Sequence, residues 1–143
     1  MTSSSFLDVN VWLALHHQIH AHHEAAKRWF ESLEDEATLV FCRQTQMGLF
    51  RLLTTEAVLG DEVLTQRQCW ALYDRWIENG KAILIQEPTG LEIALRQRAS
   101  TDSPSPKTWA DAYLAAFAET AGLTLVTFDR ALAAKAKDAI LLP

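Results

Sequence analysis

Short apolar runs alternate along the chain with longer stretches in which apolar residues recur every three or four positions. The first run, Ser4 to Leu7, is strand-like, and beyond Asp8 the residues Val9, Trp12, Leu13 and His16 fall at helical spacing. From about residue 20 to residue 33, Ala25, Ala26, Trp29, Phe30 and Leu33 alternate with Glu24, Lys27, Arg28 and Glu31, which predicts an amphipathic helix. Residues 38 to 41 predict a second strand, followed by a helix with Met47, Phe50 and Leu53 on one stripe. A further helix carries Trp70, Leu72, Tyr73, Trp76 and Ile77 and stops at Gly80; "KAILIQEP" predicts a third strand closed by Pro88.

"TGLEIALRQRAS" predicts a short helix, "TDSPSP" a loop, and "KTWADAYLAAFAETAG" a helix apolar almost all round, hence buried. The strand "LTLVTFD", the short helix "RALAAKAK" and the strand "AILLP" complete the chain. Continuous apolar strands alternating with helices predict a parallel sheet covered on both faces, a three-layer α/β/α sandwich. Its length of 143 residues and 49% hydrophobic content suit a single domain over 1–143 with a sizeable core.

Composition narrows the class. There is no apolar run long enough to cross a membrane and no signal-peptide pattern, so a soluble, cytoplasmic protein is expected. Cys42 and Cys69 lack the spacing of a zinc ribbon or a CxxC motif and read as buried small residues. The net charge of −5 argues against coating nucleic acid by bulk electrostatics; RNA binding here would need cations gathered locally or supplied as metal.

In an open parallel sheet, ligands bind beyond the carboxyl ends of the strands where the strand order reverses. Asp8 ends the first strand, Asp129 ends "LTLVTFD", and Asp111 lies near the start of the helix leading into that strand, at the same sheet edge. Each has a plain alternative: Asp8 and Asp129 as helix N-caps, Asp111 as a capping-box partner of Thr108. Taken together the three point to a cation, because clustered carboxylates take up protons unless one sits among them. Hard oxygen ligands suit Mg²⁺ or Mn²⁺. Arg43, Arg51 and Arg130 lie near the same edge and are candidate RNA contacts, with solvated surface charge as the alternative.

"FLDVNVWLAL", "WADAYLAAFA" and "TLVTFDR" resemble the three acidic blocks of PIN-domain ribonucleases, in that family's order, from about Phe6 to Asp129. "HHEAAKRWFESL" with "FCRQTQMGLFRLLT" is similar to the VapC-type toxins among them. The resemblance implies a Mg²⁺- or Mn²⁺-dependent endoribonuclease, a homodimer, held inactive by a small VapB-type antitoxin. It matches Asp8 and Asp111 to the principal metal ligands, Asp129 to a further acid, and Asn10 and Thr127 to supporting polar positions. One match fails: many relatives carry a glutamate where Gln46 and Gly48 stand, and Glu56 lies beyond the expected place. That loss leaves the acid site but argues against a preformed two-metal centre, with Gln46 able to ligate or orient a water through its amide oxygen. It also opens the alternative of a weakened PIN scaffold serving as a binding module. A haloacid-dehalogenase-like phosphatase needs a second acid two residues after the first; here that residue is Asn10.

All five histidines, His16, His17, His20, His22 and His23, follow Asp8 closely. Their spacing permits a zinc or nickel site, but the favoured reading is a turn at the head of the second helix that faces the substrate groove or a partner. The aromatic residues Trp70, Tyr73 and Trp76 read mainly as core, with some left for partner contacts.

Overall fold

Five parallel strands form the centre of the fold: β1 (Ser4–Leu7), β2 (Thr38–Phe41), β3 (Ala82–Leu84), β4 (Thr124–Thr127) and β5 (Ala139–Leu141). A computed structural model describes residues 4–143. The order across the sheet is β3-β2-β1-β4-β5. The chain therefore builds outward from β1 to one edge, crosses back, and builds outward from β4 to the other. The reversal falls between β1 and β4, where Ser5, Phe6 and Leu7 pair with Thr124, Leu125 and Val126.

The helices are α1 (Val9–His16), α2 (His23–Glu31), α3 (Arg43–Leu53), α4 (Glu56–Leu59), α5 (Gln66–Glu78), α6 (Leu91–Arg98), α7 (Trp109–Ala121) and α8 (Arg130–Lys135). Side chains alternate across the strands and so divide the core in two. Leu7, Leu39, Phe41 and Val126 point into one cluster with Val11 and Trp12 of α1, Leu49 and Leu53 of α3, and Cys69 of α5. Phe6, Val40 and Leu125 point into the other, against Leu91 and Ala94 of α6, Leu114 and Phe117 of α7, and Leu132 of α8. This is the three-layer α/β/α arrangement that the apolar strand runs predict, with helices burying both faces of the sheet.

Three boundaries differ from the sequence expectation. The second helix begins at His23 rather than near residue 20, because the chain first turns twice: the His20 N–H bonds the His17 carbonyl and the His23 N–H bonds the His20 carbonyl. The third strand keeps only Ala82–Leu84, being an edge strand with β2 as its one partner. A 3₁₀ turn, Pro106–Thr108, precedes α7, and Gly122 closes that helix in the left-handed region at φ 69°. Among the described residues no helix is long and apolar enough to cross a membrane. Cys42 and Cys69 are free and buried, as their spacing suggests.

An aromatic stack organises the first core. The Trp12 indole lies on Phe41, centroids 3.8 Å apart and planes 6° from parallel, and meets the edge of Trp76 at 5.3 Å. His16 completes it. Trp76 Nε1 donates to His16 Nε2 at 2.8 Å, so that nitrogen carries no hydrogen and Nδ1 donates to the Trp12 carbonyl at 2.6 Å. Burial, together with the nearby Arg75 charge, holds His16 below the ordinary value of 6.5, against the opposing effect of the Trp12 carbonyl. The unfolded chain therefore binds the proton more readily than the fold does. Stability from this group is present above pH about 6.5 and drains as pH falls below it. Thermal melts of His16→Gln are expected to lose less on going from pH 7 to pH 5 than those of wild type.

Candidate active site at the strand switch point

Asp8 directly follows β1 and Asp129 stands two residues beyond β4, so the switch point brings together two carboxylates from opposite ends of the chain. Thr127, the last residue of β4 and fully buried, joins them. Its hydroxyl donates to Asp8 Oδ2 at 2.9 Å and accepts the Asp129 backbone N–H at 3.0 Å. The Asp8 N–H in turn bonds the Val126 carbonyl at 3.0 Å.

The capping alternatives separate at this level of detail. Asp129 is a true N-cap: its Oδ1 accepts from Ala131 and Leu132 N–H groups at 2.8 and 3.2 Å. Its Oδ2 accepts no hydrogen bond among the described residues, so capping leaves that oxygen open. Asp8 Oδ1 takes only the N–H of Val9, the first helical residue, at 2.7 Å, rather than the deeper N–H groups a capping side chain reaches. Asp111 forms no capping box, since the Thr108 hydroxyl donates to the Ser105 carbonyl instead. It pairs with Lys135 of α8 at 3.7 Å.

Burial pushes the Asp8 carboxyl above its ordinary 3.8, the bonds from Thr127 and Val9 pull it back, and the charges of Asp111 and Asp129 push it up again. The charges of both other acids thus reach Asp8. Yet among the described residues no three acidic, histidine or cysteine side chains are close enough to hold an ion jointly. The donor set is hard oxygen, and Asp8 has no cationic side chain bonded to it, which fits a divalent cation. The misfit is Lys135, which occupies Asp111.

Asp8 and Asp129 line a cavity of about 330 Å³ with Asn10, His20, His22 and Phe128. Two of the histidines therefore wall the acid pocket, and the rest do other work. His16 belongs to the aromatic stack. His23 Nδ1 bonds the Ala14 carbonyl at 2.6 Å, and His17 is buried with Nδ1 3.7 Å from Glu62. Among the described residues no group of three or more such side chains lies close enough to share an ion.

A larger cavity, about 630 Å³, opens between α3 and α5, lined by Arg43, Gln46, Arg51 and Trp70 among others. It holds no carboxylate. Gln46 is buried, and its amide oxygen accepts Arg43 Nη1 at 2.7 Å. That bond uses one of the two acceptor sites of the amide oxygen. At Gly48 an added Cβ would stand 2.9 Å from Val9 Cγ2. A side chain there, a glutamate included, would have to push aside the Val9 methyl next to Asp8. Glu56 begins α4, beyond the far end of α3 from the acids. Arg130 starts α8 beside Asp129 and is exposed.

This sheet order and this pair of strand-end acids define the PIN class of α/β domains. The PIN domain family matches residues 5–138, and the chain belongs to that family. Ribonuclease VapC41 of Mycobacterium tuberculosis is 45% identical over 128 residues, 87% of this chain and 88% of that protein. Among solved structures, the sarcin-ricin loop cleaving toxin VapC20 of Mycobacterium tuberculosis shares the fold at a TM-score of 0.67 and 18% identity, over 91% of this chain and 93% of that one. PAE2754 from Pyrobaculum aerophilum matches at 0.54 and 28% identity, over 98% and 91%.

Proposed function

We propose that the chain is the ribonuclease toxin of a toxin–antitoxin pair, that it hydrolyses RNA phosphodiester bonds with Mg²⁺ or Mn²⁺, and that Asp8, Asp111 and Asp129 form its site. The observation that carries this is the meeting of Asp8 and Asp129 at the switch point, where Thr127 links the Asp8 carboxylate to the Asp129 backbone, inside a pocket open to solvent. The 45% likeness to Ribonuclease VapC41 supplies the substrate class.

Phosphodiester hydrolysis needs a water aligned behind phosphorus, opposite the leaving ribose oxygen, and charge set against the phosphoryl oxygens. The free Asp129 Oδ2 accepts a hydrogen bond from the attacking water and orients it. Asp8 is held rigid by its two hydrogen bonds, which set its oxygens in place as ligands for an ion. The Asn10 amide, exposed on the first turn of α1, offers donors to the phosphate. A Mg²⁺ or Mn²⁺ ion held by Asp8 and Asp129 would supply the positive charge that lets an acidic protein accept RNA. Asp111 would join them only by moving away from Lys135, which stands 3.7 Å from it. Arg43, Arg51 and Arg130 are proposed as contacts to the flanking strand. A small VapB-type antitoxin and a second copy of the chain are the proposed protein partners, with the exposed Met47 and Trp70 offering apolar surface for such contacts.

The direct test is purified protein incubated with total bacterial RNA in Mg²⁺, in Mn²⁺ and in EDTA, with cut ends mapped by primer extension. Discrete cleavage that needs the ion is expected. Lys135→Ala is expected to lower the Mn²⁺ concentration for half-maximal cleavage several-fold, since Asp111 no longer has to leave a lysine. Tight RNA binding without cleavage in any ion would favour the binding-module alternative.

A further inference from the structure

The turn between α1 and α2 takes no part in the acid pair, yet it forms one wall of the acid pocket. Its geometry is specified at several points. His20 Nδ1 accepts the backbone N–H of His22 at 3.0 Å. The His22 ring lies on Phe128, centroids 4.3 Å apart and planes 22° from parallel, and Phe128 directly precedes Asp129. The His23 bond to Ala14 ties the end of the turn back to α1.

The first of these contacts decides the chemistry of His20. A ring nitrogen that accepts a hydrogen bond carries no hydrogen, so the neutral imidazole bears its hydrogen on Nε2. Nε2 has no partner among the described residues, and the half-buried ring lines the pocket beside two carboxylates. The pocket is otherwise rich in acceptors, and a phosphate brought into it brings more. Apart from the exposed Asn10 amide the lining offers few donors, and a neutral donor fixed in place can approach a phosphate without first pairing with the acids.

We infer that His20 is a further catalytic residue of the ribonuclease site, donating Nε2–H to a nonbridging oxygen of the phosphate being cleaved, while the stacked His22–Phe128 pair seats the neighbouring base. The inference rests on the proposed ribonuclease function. Base stacking on an aromatic face is tolerant of sequence, so His22 contributes to binding and His20 to the rate. No proton changes hands: His20 keeps its hydrogen throughout, and its role is to hold the phosphate while water attacks.

Two amide substitutions separate this role from a merely structural one. Glutamine reaches as far as Nε2 and keeps a donor at that point, whereas asparagine reproduces the acceptor facing the His22 N–H but puts no donor where Nε2 stood. The substrate is an RNA oligonucleotide spanning the main cut site mapped in total bacterial RNA. With it, His20→Ala is expected to lower kcat by about 100-fold with little change in KM. His20→Gln should recover about tenfold of that loss, and His20→Asn should stay near alanine. His22→Ala should raise KM several-fold and leave kcat in place, and all four variants should melt within a few degrees of wild type. Recovery by asparagine but not glutamine would reduce His20 to a prop for the turn and overturn the inference, as would full activity of His20→Ala. A wild type that cleaves beside an equally active His20→Ala removes this contact alone. A wild type that cleaves nothing removes the ribonuclease reading and this contact with it.

Discussion

Asp8→Asn is expected to abolish cleavage of RNA while making the metal-free protein more stable. The two effects share one cause. Asp8 is held half-buried, with the charges of Asp111 and Asp129 close enough to oppose its ionisation. Its carboxyl therefore sits above 3.8 in the fold and returns to it on unfolding. Between those limits the native state binds more protons than the unfolded chain, so the cost of ionised Asp8 is absent at low pH and fully present above the raised value. Asparagine removes that cost, keeps an oxygen to accept from Thr127 or Val9, and loses the charge that a divalent ion needs. Melts in EDTA at pH 7 should show Asp8→Asn above wild type, with the gap closing as pH falls toward 4. A variant that melts lower at pH 7, or that still cuts RNA, would contradict this account of the site. Active sites commonly trade stability for function in this way.

The second large effect concerns the fold. Trp12→Ala is expected to destabilise the protein by about 3–5 kcal/mol, the range for removing a large buried aromatic. In a domain of this size that lowers Tm by about 10 °C or more. Trp12 is fully buried, stacks on Phe41 of β2, meets Trp76 of α5 and lends its carbonyl to His16. Losing it opens a cavity between α1 and the sheet one helical turn from Asp8, so RNA cleavage should fall along with stability. A denaturant titration measures the first effect, and a loss below about 1 kcal/mol would mean that the neighbouring rings collapse into the gap.

The layer order was legible because strands buried on both faces write themselves as unbroken apolar runs, and Phe6 against Leu7 or Val40 against Phe41 needs only alternation to be assigned a side. The positions of Asp8 and Asp129 were legible for a related reason: each stands where such a run stops. What the residues nearby in sequence could not reveal lies in long-range partners. His16 finds its donor in Trp76, sixty positions along the chain, so spacing alone groups it with histidines whose neighbours are different. Asp111 finds Lys135 on a helix whose facing depends on how α8 packs on α7. The sequence posed the missing glutamate as a question about charge. The structure makes it a question of space, since Val9 fills the room a side chain at Gly48 would need.

Thr127 has one hydroxyl hydrogen, committed to Asp8, and that oxygen also accepts the N–H of Asp129. The turns after β1 and β4 are thereby joined between the Asp8 carboxylate and the Asp129 backbone, and the stack of His22 on Phe128 draws the histidine turn into the same unit. The cavity between α3 and α5 shares no lining residue with the acid pocket. Changes in the lining of that cavity can therefore remodel the surface beside the acids while leaving the two turns as they are.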